Sequence, residues 1–373
     1  MMPDRDVRQR ILCAAKSIVV KVGTNGICDE AGRPDRKALS ALVAQVAALR
    51  NDGVTVTLVA SGAIGAGVGE LGWPARPKAM PDLQAAAAVG QGQLMRQFHD
   101  AFARRQLRVG QVLVTRDDFE DRTRYLNIRN TLRALDAAGV VPIINENDTV
   151  AVDEIRFGEN DVLAALVASV TDTDALILLT STAGVIGRDG EVLDVIEKVD
   201  EGALALDNGA RSARGSGGMT TKLQAAGMVT RAGEVAVIAD ARQPKILHRV
   251  LAGERVGTVV LPARRRMSSR RRWIGQASRP TGKIVVDSGA AAALSRRGKS
   301  LLPSGITGLV GRFAKGATVA VLDPDGREIA RGLTNYSAEQ IEHIRGLKTS
   351  QIAVALGDKP YDEVIHRDNL MLR

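Results

Sequence analysis

Up to Leu261 the chain repeats one unit. A short run rich in Val and Ile stops at glycine or a small polar residue, and a stretch with apolar residues at helical spacing follows. The run Ser17–Val22 is broken by Gly23. Asp35 then caps a helix whose apolar residues Leu39, Leu42, Val43, Val46 and Leu49 keep the 3.6 period, closed by Gly53. A second strand is expected over 54–59, ending in a glycine-rich turn. Further strands are expected over 109–114, 140–144, 175–179, 235–239 and 258–261, with helices over 83–104, 161–170 and 219–232. Such strand–helix–strand alternation specifies an α/β fold with a mainly parallel sheet and helices on both faces. Aromatic residues make up 3% of the chain and hydrophobic residues 45%. The core is therefore packed from Ala, Val, Leu and Ile, which disfavours a sandwich built on Trp and Tyr.

At 373 residues the chain is too long for one ordinary core. Its texture changes after Pro262. Six arginines stand in Arg264-Arg265-Arg266 and Arg270-Arg271-Arg272, and short apolar runs with tight turns begin later. Asp323-Pro324-Asp325-Gly326 is a turn signal between runs at 318–322 and 329–330. The expected division is a first domain at 1–262, an arginine-rich linker at 263–279, a small β-rich domain at 280–358 and a C-terminal tail at 359–373. The arginine run contributes to a net charge of +9 and has the chemistry to bind phosphate polymers. A solvated linker is the preferred reading, since basic runs without a motif predict little. No apolar run reaches the roughly 18 residues of a membrane span, and the charged start leads into no signal-type segment. Cys13 and Cys28 lack CxxC or metal-finger spacing. The expectation is a cytoplasmic protein without disulfides, membrane contact or a protein-held metal.

In an open α/β sheet, ligands sit beyond the carboxyl ends of the strands. Those ends read Val20-Lys21-Val22-Gly23-Thr24, Ser61-Gly62-Ala63-Ile64-Gly65-Ala66-Gly67, Asn145-Glu146-Asn147-Asp148, then Gly158-Glu159-Asn160-Asp161, and Thr180-Ser181. A late loop gives Gly215-Ser216-Gly217-Gly218-Met219-Thr220-Thr221-Lys222. Gly67-Val68-Gly69-Glu70-Leu71-Gly72 satisfies GxGxxG, but it starts past the strand end and no acid follows about 20 residues on. A Walker A motif is absent. The glycines before Met219 lead into a helix whose free N–H groups and positive dipole end suit an anion, with Lys222 on its first turn. The four histidines, His99, His248, His343 and His366, lie in none of these loops, and no Ser-His-Asp spacing appears. Phosphoryl transfer to a carboxylate suits this inventory, because the nucleophile is already ionised at pH 7 and needs no general base. What remains is to align two anions and neutralise their repulsion, through lysines, glycine N–H groups and Mg²⁺. The chain thus reads as an ATP-dependent small-molecule kinase. Asn145, Asn147, Asp148, Asn160 and Asp161 fit an amino-acid head group, and equally fit turn and cap chemistry.

Val20-Lys21-Val22-Gly23-Thr24, Ser61-Gly62-Ala63-Ile64, Ile144-Asn145-Glu146-Asn147-Asp148, Asn160-Asp161 and Gly217-Gly218-Met219-Thr220-Thr221-Lys222, with Arg124-Tyr125-Leu126-Asn127 and Arg129-Asn130-Thr131-Leu132, resemble the glutamate 5-kinase family in order and spacing, and the part from about Gly282 is similar to a PUA domain. The resemblance implies a three-layer αβα sandwich (the amino-acid kinase fold). It also implies transfer of the ATP γ-phosphate to the side-chain carboxylate of L-glutamate with Mg²⁺, the step that opens proline biosynthesis, with proline as feedback inhibitor. By motif, Lys21 and Lys222 stabilise the transferring phosphoryl group and Asp161 holds them. Ser61, Asp148 and Asn160 take glutamate, while Lys21, Thr180, Ser181, and Ser216, Gly217, Gly218, Met219, Thr220, Thr221 and Lys222 contact ATP. Three departures stand out: Thr180-Ser181 where the family often has Thr-Asp, Glu159 for a frequent Asp, and a short loop after Gly184 without Asp-Pro-Arg. A homo-oligomer, dimer or tetramer, is expected. So is hand-off of the hydrolysis-prone acyl phosphate to glutamyl-phosphate reductase. The rival readings are another amino-acid kinase, or an RNA-binding protein acting through the PUA-like domain. Against RNA, only Trp273, Phe313, Tyr336 and Tyr361 offer aromatic rings after position 260.

Overall fold

A computed structural model describes residues 5–29, 33–151, 159–206, 218–263 and 272–372. The chain forms two compact units, Met1–Asp118 with Thr123–Arg266, and Phe119–Arg122 with Met267–Arg373.

The first unit is built on strands β1 (Ser17–Val22), β2 (Thr55–Ala60), β3 (Arg108–Val114), β4 (Val140–Glu146), β5 (Ala175–Thr180), β6 (Val195–Ile196), β7 (Val235–Asp240) and β8 (Thr258–Val260). They lie in the order β3-β4-β2-β1-β5-β7-β8-β6. β7 and β8 pair antiparallel, and the other neighbours pair parallel. β6, two residues long, is too short to show a period and was not expected. Strands β1, β2, β4, β5 and β7 are buried almost end to end, as required of strands covered on both faces.

Side chains alternate between the faces of a strand. Val20 and Val22 enter a core shared with α1 (Arg36–Asn51) and α3 (Met80–Ala103) through Leu42, Val46, Leu94 and Phe98. Lys21 therefore faces the other way, toward the layer of α4 (Glu159–Thr171) and α5 (Met219–Ala232), which pack on β1 and on β7. The Asp35 side chain caps α1, accepting from the Lys37 and Ala38 amides as expected. β1 lies between β2 and β5, so successive strands are laid down on both sides of it. The switch point of the sheet is at the carboxyl end of β1, where Lys21 stands.

The glycine-rich turn expected after β2 is instead a helix, α2 (Ala63–Glu70). Gly65, Gly67 and Gly69 are poor helix formers, and tertiary contact overrides that preference. α2 lies so close to α3 that a Cβ on Gly67 would be 1.7 Å from the Ala86 carbonyl oxygen, and one on Gly90 would be 1.8 Å from that of Ala63. The glycines are what allow the two backbones to touch.

The second unit carries a five-stranded sheet of β9 (Gly282–Val286), β10 (Ile306–Val310), β11 (Thr318–Leu322), β12 (Glu328–Leu333) and β13 (Leu370–Leu372), in the order β10-β9-β11-β12-β13. Asp323 closes the expected turn between β11 and β12 by accepting from the Asp325 and Arg327 amides, with Gly326 at φ +79. The expected tail at 359–373 is corrected. β13 adds to β12, and Val364 and Ile365 are fully buried in the core with Val319, Val321 and Ile344. The linker needs a correction too. Positions 264–271 lie outside the described residues, but Arg272 and Trp273 are buried and Trp273 Nε1 donates to the Phe119 carbonyl at 3.0 Å. The end of the linker is packed, because an indole and its neighbours bury readily once the N–H has a partner.

Candidate active site

Three residues separated by some 200 positions meet at the switch point. Asp161 is the third residue of α4 and has no exposed surface; Lys21 and Lys222 are each 6% exposed. Lys21 Nζ lies 2.6 Å from Asp161 Oδ1, and Lys222 Nζ lies 3.1 Å from Oδ2. The Thr221 hydroxyl is 2.9 Å from both Asp161 Oδ2 and the Gly218 carbonyl oxygen, which ties the start of α5 to the same carboxylate. Burial alone would raise the Asp161 pKa. Lys21, then Lys222, and the hydrogen bonds of both hold it below the usual carboxylate value. One carboxylate lies between two ammonium groups, in a place where water screens their charges little.

The backbone around this group is open toward a ligand. A Cβ on Gly23 would lie 3.5 Å from Lys21 Nζ, in ordinary contact with the ammonium. Gly218, which has no side chain, is the N-cap of α5, and a helix N-terminus suits an anion. Met219, Thr220 and Thr221 form that first turn. Ser216 and Gly217 lie outside the described residues.

Next to the lysines is a set of neutral polar groups. Gly62, at φ +111, turns the chain from β2 into α2 and leaves Ser61 at the mouth of the sheet. Asn160, beside Asp161, donates from Nδ2 to Ser61 Oγ at 2.8 Å and to Asn145 Oδ1 at 3.4 Å. Asn145, at the end of β4, donates from its own Nδ2 to Gln91 Oε1 at 2.8 Å. Asp148 is half-buried beyond β4. Burial pushes its pKa up to about 6, against the pull of Arg76, whose own pKa burial lowers.

The structure thus brings together Lys21, Asp161, Lys222 and Thr221, and separately Ser61, Asn160 and Asn145. Thr180 and Ser181 stand at the end of β5, two strand-ends from Ser61. Among the described residues their side chains make no hydrogen bond to the lysine group. Arg242 Nη2 instead donates to the Ser181 carbonyl at 2.6 Å, held by its ion pair with Asp240. Gln91, Arg76 and Arg242 escaped sequence reasoning. Only Arg242 carried a signal, since it follows the end of β7 as Lys21 ends β1.

An amino acid kinase family model matches residues 16–240, and a PUA domain model matches 282–356. A glutamate 5-kinase of Caldanaerobacter subterraneus subsp. tengcongensis is 48% identical over 361 residues, covering 95% of this chain and 97% of that protein. The chain belongs to the glutamate 5-kinases of the amino acid kinase family. A glutamate 5-kinase of Moorella thermoacetica, 46% identical, covers both chains completely. Among solved structures, a carbamate kinase from Giardia lamblia bound to AMP-PNP matches 67% of this chain at 19% identity and a TM-score of 0.48. Membership accounts for both units. The αβα layers with the mostly parallel sheet are the amino acid kinase fold, and the five-stranded sheet belongs to the PUA domain.

Proposed function

We infer that this chain transfers the γ-phosphoryl group of ATP to the side-chain carboxylate of L-glutamate, yielding L-glutamyl 5-phosphate and ADP, the step that opens proline biosynthesis. The observation that carries this reading is the buried Lys21–Asp161–Lys222 group at the switch point of the sheet. An ionised glutamate side chain attacks phosphorus directly, and its oxygen replaces the β-phosphate oxygen as the partner of the phosphoryl group. No proton has to be removed. The obstacle is repulsion between two anions. Two ammonium groups answer it, and Asp161 holds both in place while the chemistry proceeds. The N-terminus of α5 supplies N–H donors to the phosphates. Ser61, Asn160 and Asp148 take the amino-acid end of glutamate, and Thr180 and Ser181 lie on the nucleotide side.

Mg²⁺ belongs to this reading as a partner of the nucleotide phosphates, its usual mode of binding. Among the described residues no cluster of three His, Cys, Asp or Glu side chains is available to cage it, and Asp161 is committed to the lysines. Proline inhibition, hand-off to glutamyl-phosphate reductase and a homo-oligomer belong to this reading through the family relation, and a cytoplasmic address through Cys13 and Cys28, which have no disulfide or metal-finger spacing. Among the described residues no helix is long and apolar enough to cross a membrane. The decisive test is ADP release with ATP, Mg²⁺ and L-glutamate. Turnover with L-aspartate or N-acetyl-L-glutamate, and none with L-glutamate, would overturn the reading.

A further inference from the structure

Asn160 spends both amide hydrogens inside the protein, on Ser61 Oγ and Asn145 Oδ1. Its Oδ1 is buried and has no hydrogen-bond partner among the described residues. A buried acceptor without a donor is costly, so the site is built to receive an N–H from a ligand. Ser61 Oγ accepts from Asn160, which frees its own proton for a carboxylate. The two side chains thus present opposite polarities, as the ammonium and carboxylate of an α-amino acid require.

That polarity is set elsewhere. An amide side chain can turn over and exchange its oxygen for its nitrogen. Asn145 is 2% exposed and two contacts fix its orientation: the Glu146 amide donates to its Oδ1 at 2.9 Å, and its Nδ2 donates to Gln91 Oε1 at 2.8 Å. If Asn145 turned over, its Nδ2 would face Asn160 Nδ2, donor against donor. Asn160 would then turn as well and show hydrogens to the ligand's ammonium. Gln91 reaches Asn145 because Gly90 brings α3 against the start of α2, where a Cβ would be 1.8 Å from the Ala63 carbonyl oxygen.

We propose that Gln91 is a positioning residue for amino-acid recognition: through Asn145 it holds the Asn160 amide oxygen toward the α-ammonium of the substrate. The proposal rests on the glutamate kinase reading. Its signature is selective. Gln91 governs how well the enzyme senses an α-ammonium, while handling of ATP and phosphoryl transfer are left alone.

The test compares L-glutamate with glutarate, which has the reacting carboxylate and lacks the ammonium, as acceptors for wild type, Gln91→Met and Gln91→Glu. Gln91→Met deletes the acceptor for Asn145 with little change in volume. It is expected to lower kcat/KM for L-glutamate about tenfold, the worth of one hydrogen bond to a charged group, chiefly through KM. Its kcat/KM for glutarate and its KM for ATP should stay near wild type. Gln91→Glu keeps an oxygen facing Asn145 and is expected to restore most of the preference for glutamate. Gln91→Ser, with room for a water, is measured in parallel in case the methionine does not pack, and the same loss of preference is expected. An unchanged glutamate-to-glutarate ratio in Gln91→Met and Gln91→Ser, or equal losses on both acceptors, overturns the proposal and leaves the kinase reading intact. Absence of glutamate turnover in wild type overturns both.

Discussion

Replacing Asp161 by asparagine changes one atom and removes a negative charge that both site lysines share. Asp161 has no exposed surface, and each lysine is 6% exposed, so neither ammonium can recover its lost partner from water. Breaking a buried pair by deleting one side leaves an uncompensated charge and costs about 3–5 kcal/mol. The lower end applies, because the Thr221 hydroxyl, 2.9 Å from Oδ2, can still donate to an amide oxygen. For a chain of 373 residues, at about 2.1 cal/mol/K of unfolding entropy per residue, about 3 kcal/mol corresponds to a midpoint lower by roughly 4–6 °C. Calorimetry and urea unfolding of Asp161→Asn read the loss directly. The pH dependence provides a second check. The folded pKa of Asp161 is held down, so its contribution is fully present above the unfolded value of about 3.9 and is lost as pH falls through the folded value. The gap between wild type and variant should therefore stay open near neutral pH and close only in acid. Turnover should fall by about a hundredfold, because misplaced lysines no longer oppose the transferring charge. Lys222→Ala is the control. Asp161 keeps Lys21 at 2.6 Å, so this variant should lose turnover with a smaller drop in midpoint. An Asp161→Asn protein whose stability lies within about 0.5 kcal/mol of wild type, the scatter of ordinary surface changes, would refute the argument that this carboxylate is the shared partner that holds both lysines.

Three further outcomes follow from particular contacts. Burial holds the Asp148 pKa at about 6, so kcat/KM for L-glutamate, which reports the free enzyme, should fall on acidification through about pH 6 as the carboxylate facing the ammonium is lost. Asp148→Asn should flatten that limb, and an unchanged limb would refute the proposal that Asp148 binds the substrate's ammonium. Gly90→Ala meets backbone at 1.8 Å while Gly92→Ala, two residues along the same helix, meets nothing within 4 Å. Thermal melts should show the first destabilised by about 1–3 kcal/mol or more and the second stabilised by about 0.5–1 kcal/mol. Equal melts would mean that the α2–α3 contact yields freely. Burial first, then Asp29 and Asp35, push the Cys28 thiol up to about 12, whereas Cys13 is exposed. Peptide mapping after iodoacetamide at pH 8 should find Cys13 alkylated well before Cys28, and matching rates would contradict the burial of Cys28.

How much of this was legible depends on whether a residue's partners are encoded near it. Lys21, Asp161 and Lys222 are far apart in sequence, yet each follows or opens an element whose period is plain. The rule that strand ends converge was enough to bring them together. The order of the sheet was not legible, since β1 gains β5 as a neighbour through pairing that no local pattern records. α2 was misread because Gly65, Gly67 and Gly69 argue against a helix in isolation, and what stabilises it is contact with α3. The strand β13 was missed for a related reason: three residues carry no alternation, and its identity comes from β12 beside it. Gln91 is the extreme case. It sits in the run Ala88-Val89-Gly90-Gln91-Gly92-Gln93, where either glutamine could face solvent, and its partner Asn145 is 54 positions away. The residue that gives it meaning is Gly90, whose missing Cβ lets α3 approach α2 closely enough for one of two similar glutamines to reach the substrate side of the sheet. Specificity in such a site is therefore written partly in glycines that touch no ligand, and reading it requires the packing first.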